Sequence, residues 1–157
     1  MASTIAPIAA RPATSVWWTA VAGDPGRVVL KLSNDPRLMA GVSGAVEHMA
    51  ERAGCDARAC ADLIVAAEEA CRETFPLLPA ADAQLAVTIE DFPDRVEVTF
   101  EYQGQTRPAA GLDTFAVPGA EEEGGLSGRK LLARVDRVQF DTQDATSRLT
   151  LVKYIRP

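Results

Sequence analysis

Two stretches in the middle of the chain constrain its fold more than any others. "AQLAVTIED" and "RVEVTFEYQ" each alternate apolar and polar residues, and "FPD" joins them. Successive side chains of a strand point to opposite faces, so a period of two gathers the apolar residues on one side. The pair reads as an antiparallel hairpin with one buried face. That face requires a second layer to cover it.

The segments before the hairpin supply the layer. "NDPRLMAGVSGAVEHMAERAG" reads as a helix: Asn34 or Asp35 can cap it, Pro36 suits its first turn, and Gly54 suits its exit. Leu38, Val42, Val46, Met49 and Ala53 recur at helical spacing. "DARACADLIVAAEEACRETFP" reads as a second helix, capped by Asp56 and ended near Pro76. Its Cys60, Ile64, Ala67 and Cys71 form a stripe of mostly small residues, flanked by Leu63, Ala66 and Ala70; small residues permit close approach to another element. Upstream, "SVWWTAVAGDPGRVVLKLS" reads as two strands around a turn at residues 23–26. Trp17 and Trp18 are adjacent, so a strand sends them to opposite faces, and one is a candidate partner contact.

After the hairpin the chain becomes irregular over 103–124, a length that marks a functional or disordered loop. "LSGRKLLARV" can then form a short helix, and "DRVQFDTQ" and "SRLTLVKYI" close the chain as strands around "DAT". Residues 1–14 read as a loose tail and 15–157 as one domain. The expected fold is α+β: a two-layer α/β sandwich with a mixed, mostly antiparallel sheet and helices on one face.

Composition narrows function. With 47% hydrophobic and 24% charged residues, a packed globular domain is expected. A net charge of -6 and the lack of a basic stripe argue against nucleic acid as a partner. No apolar run approaches the roughly 18 residues of a membrane span. The first residues lack the charged start and long apolar run of a signal peptide. Cys55, Cys60 and Cys71 form no Cys-x-x-Cys pair, and His48 is the only histidine, so a zinc cluster is not expected. Reduced thiols fit a cytoplasmic setting.

The chemistry centres on "AAEEACRETF", where Glu69 and Glu73 lie one helical turn apart, on one face with Asp62 and Val65. A like-charge pair at this spacing costs an isolated helix roughly 0.2–0.5 kcal/mol. The face can be merely solvated, can hold a cation, or can be the altered remnant of a catalytic site.

Taken together, these segments resemble the bacterial anti-sigma-factor serine kinases, members of the GHKL (histidine-kinase-like ATPase) superfamily. The resemblance spans about 28–155. It rests on "LSNDPRLMAGVSGAVEHMAERAG" as opening strand and helix, "LIVAAEEACRETF" as the N-box helix, "EEGGLSGRKLLARVDRVQF" as the Gly-rich lid and following helix, and "SRLTLVKYI" as last strand. In that family the N-box reads Glu-x-x-x-Asn. Its glutamate is the catalytic base, and its asparagine holds Mg²⁺ on ATP. The resemblance places Glu69 on the base and Glu73 on the metal position. The family's adenine-binding Asp-x-Gly-x-Gly falls on Tyr102, Gln103, Gly104, Gln105 and Thr106, where only Gly104 is retained. One residue off register, Glu101 would point to the other face of the strand. The lid falls on Gly124, Gly125, Leu126, Ser127 and Gly128, with Ser127 replacing a glycine and Arg129 and Lys130 adding positive charge. Glu121–Glu123 read as a solvated acidic run beside it.

The resemblance implies two functions. The first is a regulatory protein that binds a sigma factor or an anti-sigma antagonist, with binding of ATP and Mg²⁺ weakened or lost. The alternative is an active ATP- and Mg²⁺-dependent serine kinase acting on the antagonist. A phosphotransfer role for His48 is a third reading, and a homodimer is expected from the family.

Overall fold

A computed structural model of the chain describes residues 17–20, 26–104 and 131–156. The expected tail, the turn at residues 23–25, the loop beyond Gly104 and the lid lie outside them. Eight main elements follow in order: β1 (Trp17–Ala20), β2 (Arg27–Ser33), α1 (Met39–Ala53), α2 (Ala57–Thr74), β3 (Gln84–Phe92), β4 (Arg95–Gln103), β5 (Arg137–Gln143) and β6 (Thr146–Tyr154). Short 3-10 turns at Pro36–Leu38 and Phe75–Leu77 lead into α1 and out of α2.

The six strands form one sheet in the order β1-β2-β3-β4-β6-β5. Every pairing among the described strands is antiparallel, in keeping with the expected mostly antiparallel sheet. Antiparallel neighbours arise because the short hairpins β3–β4 and β5–β6 reverse the chain, and a two-helix excursion returns β3 antiparallel beside β2. The β5–β6 turn is two residues, not three: Asp144 and Ala145 take φ of 49° and 65°, and Thr146 already belongs to β6. Positive φ at both central positions matches the right-handed twist of the flanking strands.

The alternation puts one face of the sheet under the helices. Leu85, Val87 and Ile89 of β3, Val96, Val98, Phe100 and Tyr102 of β4, and Leu149 and Leu151 of β6 are buried there. They meet Val42, Val46, Met49 and Ala50 of α1 and Leu63, Ala66, Ala67, Ala70 and Cys71 of α2 in one core. The expected α1 stripe buries Val42, Val46 and Met49, while Leu38 and Ala53 sit at its half-buried ends. On α2, Ile64 is half-buried and the core face is completed by Thr74. The Thr74 hydroxyl donates to the Ala70 carbonyl at 2.7 Å, which lets a polar side chain lie in the core.

Both helices start and stop where local chemistry dictates. Asp35 caps the turn before α1, accepting from the Arg37 amide at 3.0 Å. Gly54 ends α1 with φ of 88°, and its amide returns to Ala50 and Glu51. Asp56 caps α2, accepting from the Ala59 amide at 2.7 Å. Ser43 of α1 donates to Glu68 of α2 at 2.6 Å, tying the helices together.

The opposite face of the sheet carries polar pairs. Arg148 reaches Glu101 at 2.8 Å, and the Thr99 and Thr150 hydroxyls meet at 3.1 Å. The register sets Trp17 opposite Lys31 and Trp18 opposite Leu30. No helix among the described residues is long and apolar enough to cross a membrane.

Candidate functional site

Glu69 and Glu73 lie on α2 one turn apart, both half-buried, on the face that also carries Asp62 and Val65. Glu69 borders a cavity of about 290 Å³, which it lines with Val65, Ala66, Leu131 and Arg134. Its carboxylate also pairs with Arg72 on the next turn. That guanidinium competes for the carboxylate oxygens a general base would use. Glu73 is not part of this lining, so the two carboxylates share a helix face but not the cavity. Among the described residues no group of three or more His, Cys, Asp or Glu side chains converges as a metal shell.

Leu131 and Arg134 were not singled out in the sequence. Leu131 is fully buried where the chain re-enters the described fold, in a helical turn that also holds Leu132. Arg134 donates to Asp62 of α2 at 3.2 Å, and its carbonyl accepts from Lys153 at 2.8 Å. These contacts fix the segment that begins at Leu131 against α2 and put a guanidinium at the cavity wall. Asp62 and Arg134 are 72 residues apart, so no periodicity in the sequence could have paired them.

Tyr102 and Gly104 end β4. Tyr102 is 2% exposed and belongs to the core between sheet and helices. Burial pushes its phenol above the usual tyrosine range, and a hydrogen bond with Ser147 acts the other way. Ser147 sits opposite Tyr102 on β6 and donates to the Gly104 carbonyl at 2.6 Å. The Gly104 amide donates to the Ala145 carbonyl at 2.7 Å. Gly104 takes φ of 125°, a conformation that side chains other than glycine's rarely adopt. The expectation for Glu101 holds: it lies on the far face, paired with Arg148.

Six expected site residues, Gly124, Gly125, Leu126, Ser127, Gly128 and Arg129, fall outside the described residues, as do Lys130 and the acidic run. His48 is exposed on α1.

No protein-family model and no curated protein matches the chain. Among solved structures, it is similar to a crystal structure of the RsbU and RsbW domains of Rv1364c from Mycobacterium tuberculosis. The match has 16% sequence identity and a TM-score of 0.57, and covers 83% of this chain. The chain spans about a third of that protein's length, since the match covers 33% of it. The likeness is one of fold alone: a two-layer α/β sandwich with two helices on one face of an antiparallel sheet.

Proposed function

We propose that this chain is a regulatory protein of the anti-sigma type that acts by binding protein partners, with ATP binding weakened or lost. The observation that carries the reading is the buried Tyr102. At the position where the resemblance calls for an adenine-binding aspartate, the chain has an aromatic ring packed into its own core. A phenol there offers no carboxylate acceptor to an adenine amino group, and the nearby carboxylate of Glu101 serves Arg148 on the other face. Glu73 adds a second obstacle. Carboxylate oxygen suits Mg²⁺, but this one brings an extra negative charge toward a triphosphate. The residues described therefore fit ATP and Mg²⁺ poorly.

In this reading a sigma factor or an anti-sigma antagonist binds in the cytoplasm, and a second copy of the chain completes a homodimer. The fold likeness to an RsbU–RsbW protein supports a place in partner switching. The test is phosphate transfer from γ-labelled ATP to a serine of the cognate antagonist at saturating Mg²⁺. The expected result is stable complex formation without transfer. Transfer that disappears in Glu69→Gln would establish the serine kinase instead.

A further inference from the structure

We propose that Cys55 and Cys60 form a thiol–disulfide exchange site that reacts with small anionic disulfides, glutathione disulfide being the type, to close an intramolecular bridge across the start of α2. The cap geometry brings the two together. Asp56 is the N-cap and Ala57 the first helical residue, so Cys55 immediately precedes the cap and Cys60 is the fourth residue of the helix. Side chains at these two positions meet in many helices as an apolar clasp that fixes the entry of the chain. Here both members are thiols, and all three cysteines of the chain are free. The Cys60 thiol donates to the Cys55 carbonyl at 3.6 Å, which holds the second sulfur against the residue that bears the first.

The two sulfurs have different access. Cys60 is 7% exposed, whereas Cys55 is half-buried and lines a cavity of about 390 Å³. Arg58, Arg134, Lys153 and Arg156 also line that cavity. Its acids are engaged: Asp62 with Arg134 at 3.2 Å, Asp136 with Arg156 at 3.5 Å, and Asp56 with the Ala59 amide. With Arg134 and Arg156 paired to those acids, Arg58 and Lys153 against Asp56 leave the wall next to Cys55 a small positive excess, which favours an oxidant carrying carboxylates. Burial, then Cys60 and Asp56, push the Cys55 thiol up, while Lys153 pulls it down. Cys60 is raised by burial and by Glu51, Asp56 and Glu47. The exchange is accordingly slow, since the thiolate is the attacking form.

The step balances without another reagent. Cys55 loses its proton to solvent and attacks one sulfur of glutathione disulfide. That S–S bond breaks, and one glutathione leaves as thiolate and takes a proton. Cys60 then loses its proton and attacks the Cys55 sulfur of the mixed disulfide, releasing the second glutathione. Two protein thiols are oxidised, and one glutathione disulfide is reduced to two glutathiones. The resulting bridge clamps the first turn of the helix that carries Glu69.

The experiment incubates the folded full chain with glutathione disulfide, traps it with an alkylating agent, and reads intact mass and peptides. The expected product has lost two hydrogens, leaves Cys71 alkylated, and links the peptides on either side of Arg58. Fragmentation places the link on Cys60 and not on Cys71. Cys60→Ser is expected to stop with one glutathione on Cys55, and Cys71→Ala to leave the bridge intact. A native chain that stops at the mixed disulfide, a link to Cys71, or three alkylated thiols would overturn the proposal.

Discussion

Tyr102 is where the chain's local chemistry departs most from the adenine-binding motif that the resemblance calls for. Its ring fills core volume at the end of β4, so emptying the site removes packing. Tyr102→Ala is expected to cost about 3–5 kcal/mol, as large-to-small changes at buried aromatic sites do. Tyr102→Phe keeps the ring and loses the hydroxyl's hydrogen bonding, that with Ser147 included, and should cost about 1 kcal/mol. Urea unfolding of both variants checks the pair; a near-neutral Tyr102→Ala would mean the ring is not a core element. Two residues on, Gly104→Ala forces a side chain into φ of 125° and should destabilise by about 1–3 kcal/mol in the same assay. Among the described residues a Cβ there would meet nothing closer than the Leu77 carbonyl at 4.0 Å, so the expected penalty is the conformational one. The sequence alone revealed which way these residues face, because strand side chains alternate strictly. It did not reveal that Tyr102 is fully enclosed, since that depends on what the helix layer and β6 bring to it.

At the level of elements, α2 was the most legible part of the chain. Asp56, the apolar stripe and the shared face of Glu69 and Glu73 all follow from helical spacing and cap chemistry. Asp56→Ala is expected to cost about 1 kcal/mol, the usual worth of an N-cap. Chemical unfolding would show it, and an unchanged midpoint would mean the cap bond to Ala59 contributes nothing. The Asp62–Arg134 pair is different in kind. Both side chains are partly exposed, at 23% and 44%, so their attraction is screened and worth about 0–1 kcal/mol. Its role is placement: it sets the segment that begins at Leu131 against α2 and helps form the cavity at Glu69. Such a contact was invisible in the sequence, as was the insertion of β6 between β4 and β5. Period-two patterning states which face of a strand is buried; it does not say which strand lies beside it.

For the molecule as a whole, the tight seat of α2 on the sheet has a titration signature. Burial pushes the Cys71 thiol from 9.0 up to about 12, with Glu68 adding to the rise and Arg72 opposing it. A thiol raised in the folded state keeps its full stabilising effect below the unfolded value and loses it as pH climbs toward the folded one. Stability should therefore fall as pH rises from about 9 toward about 12, by at most roughly 4 kcal/mol from this group. Urea midpoints measured between roughly pH 8 and 11 would show the decline, and Cys71→Ala should make it shallower, leaving the part that the raised Cys55, Cys60 and Tyr102 contribute. Equal slopes in the two proteins would locate the effect elsewhere.

The central proposal is that the chain acts by binding protein partners, with ATP binding weakened or lost. Calorimetric titration with ATP, with and without Mg²⁺, tests it most directly when run on the native protein and on Glu73→Asn. No measurable binding by either is expected, because restoring the metal position leaves the ring of Tyr102 in the core. Tight, Mg²⁺-dependent binding by the native chain would contradict the account and make Glu73 a working metal ligand.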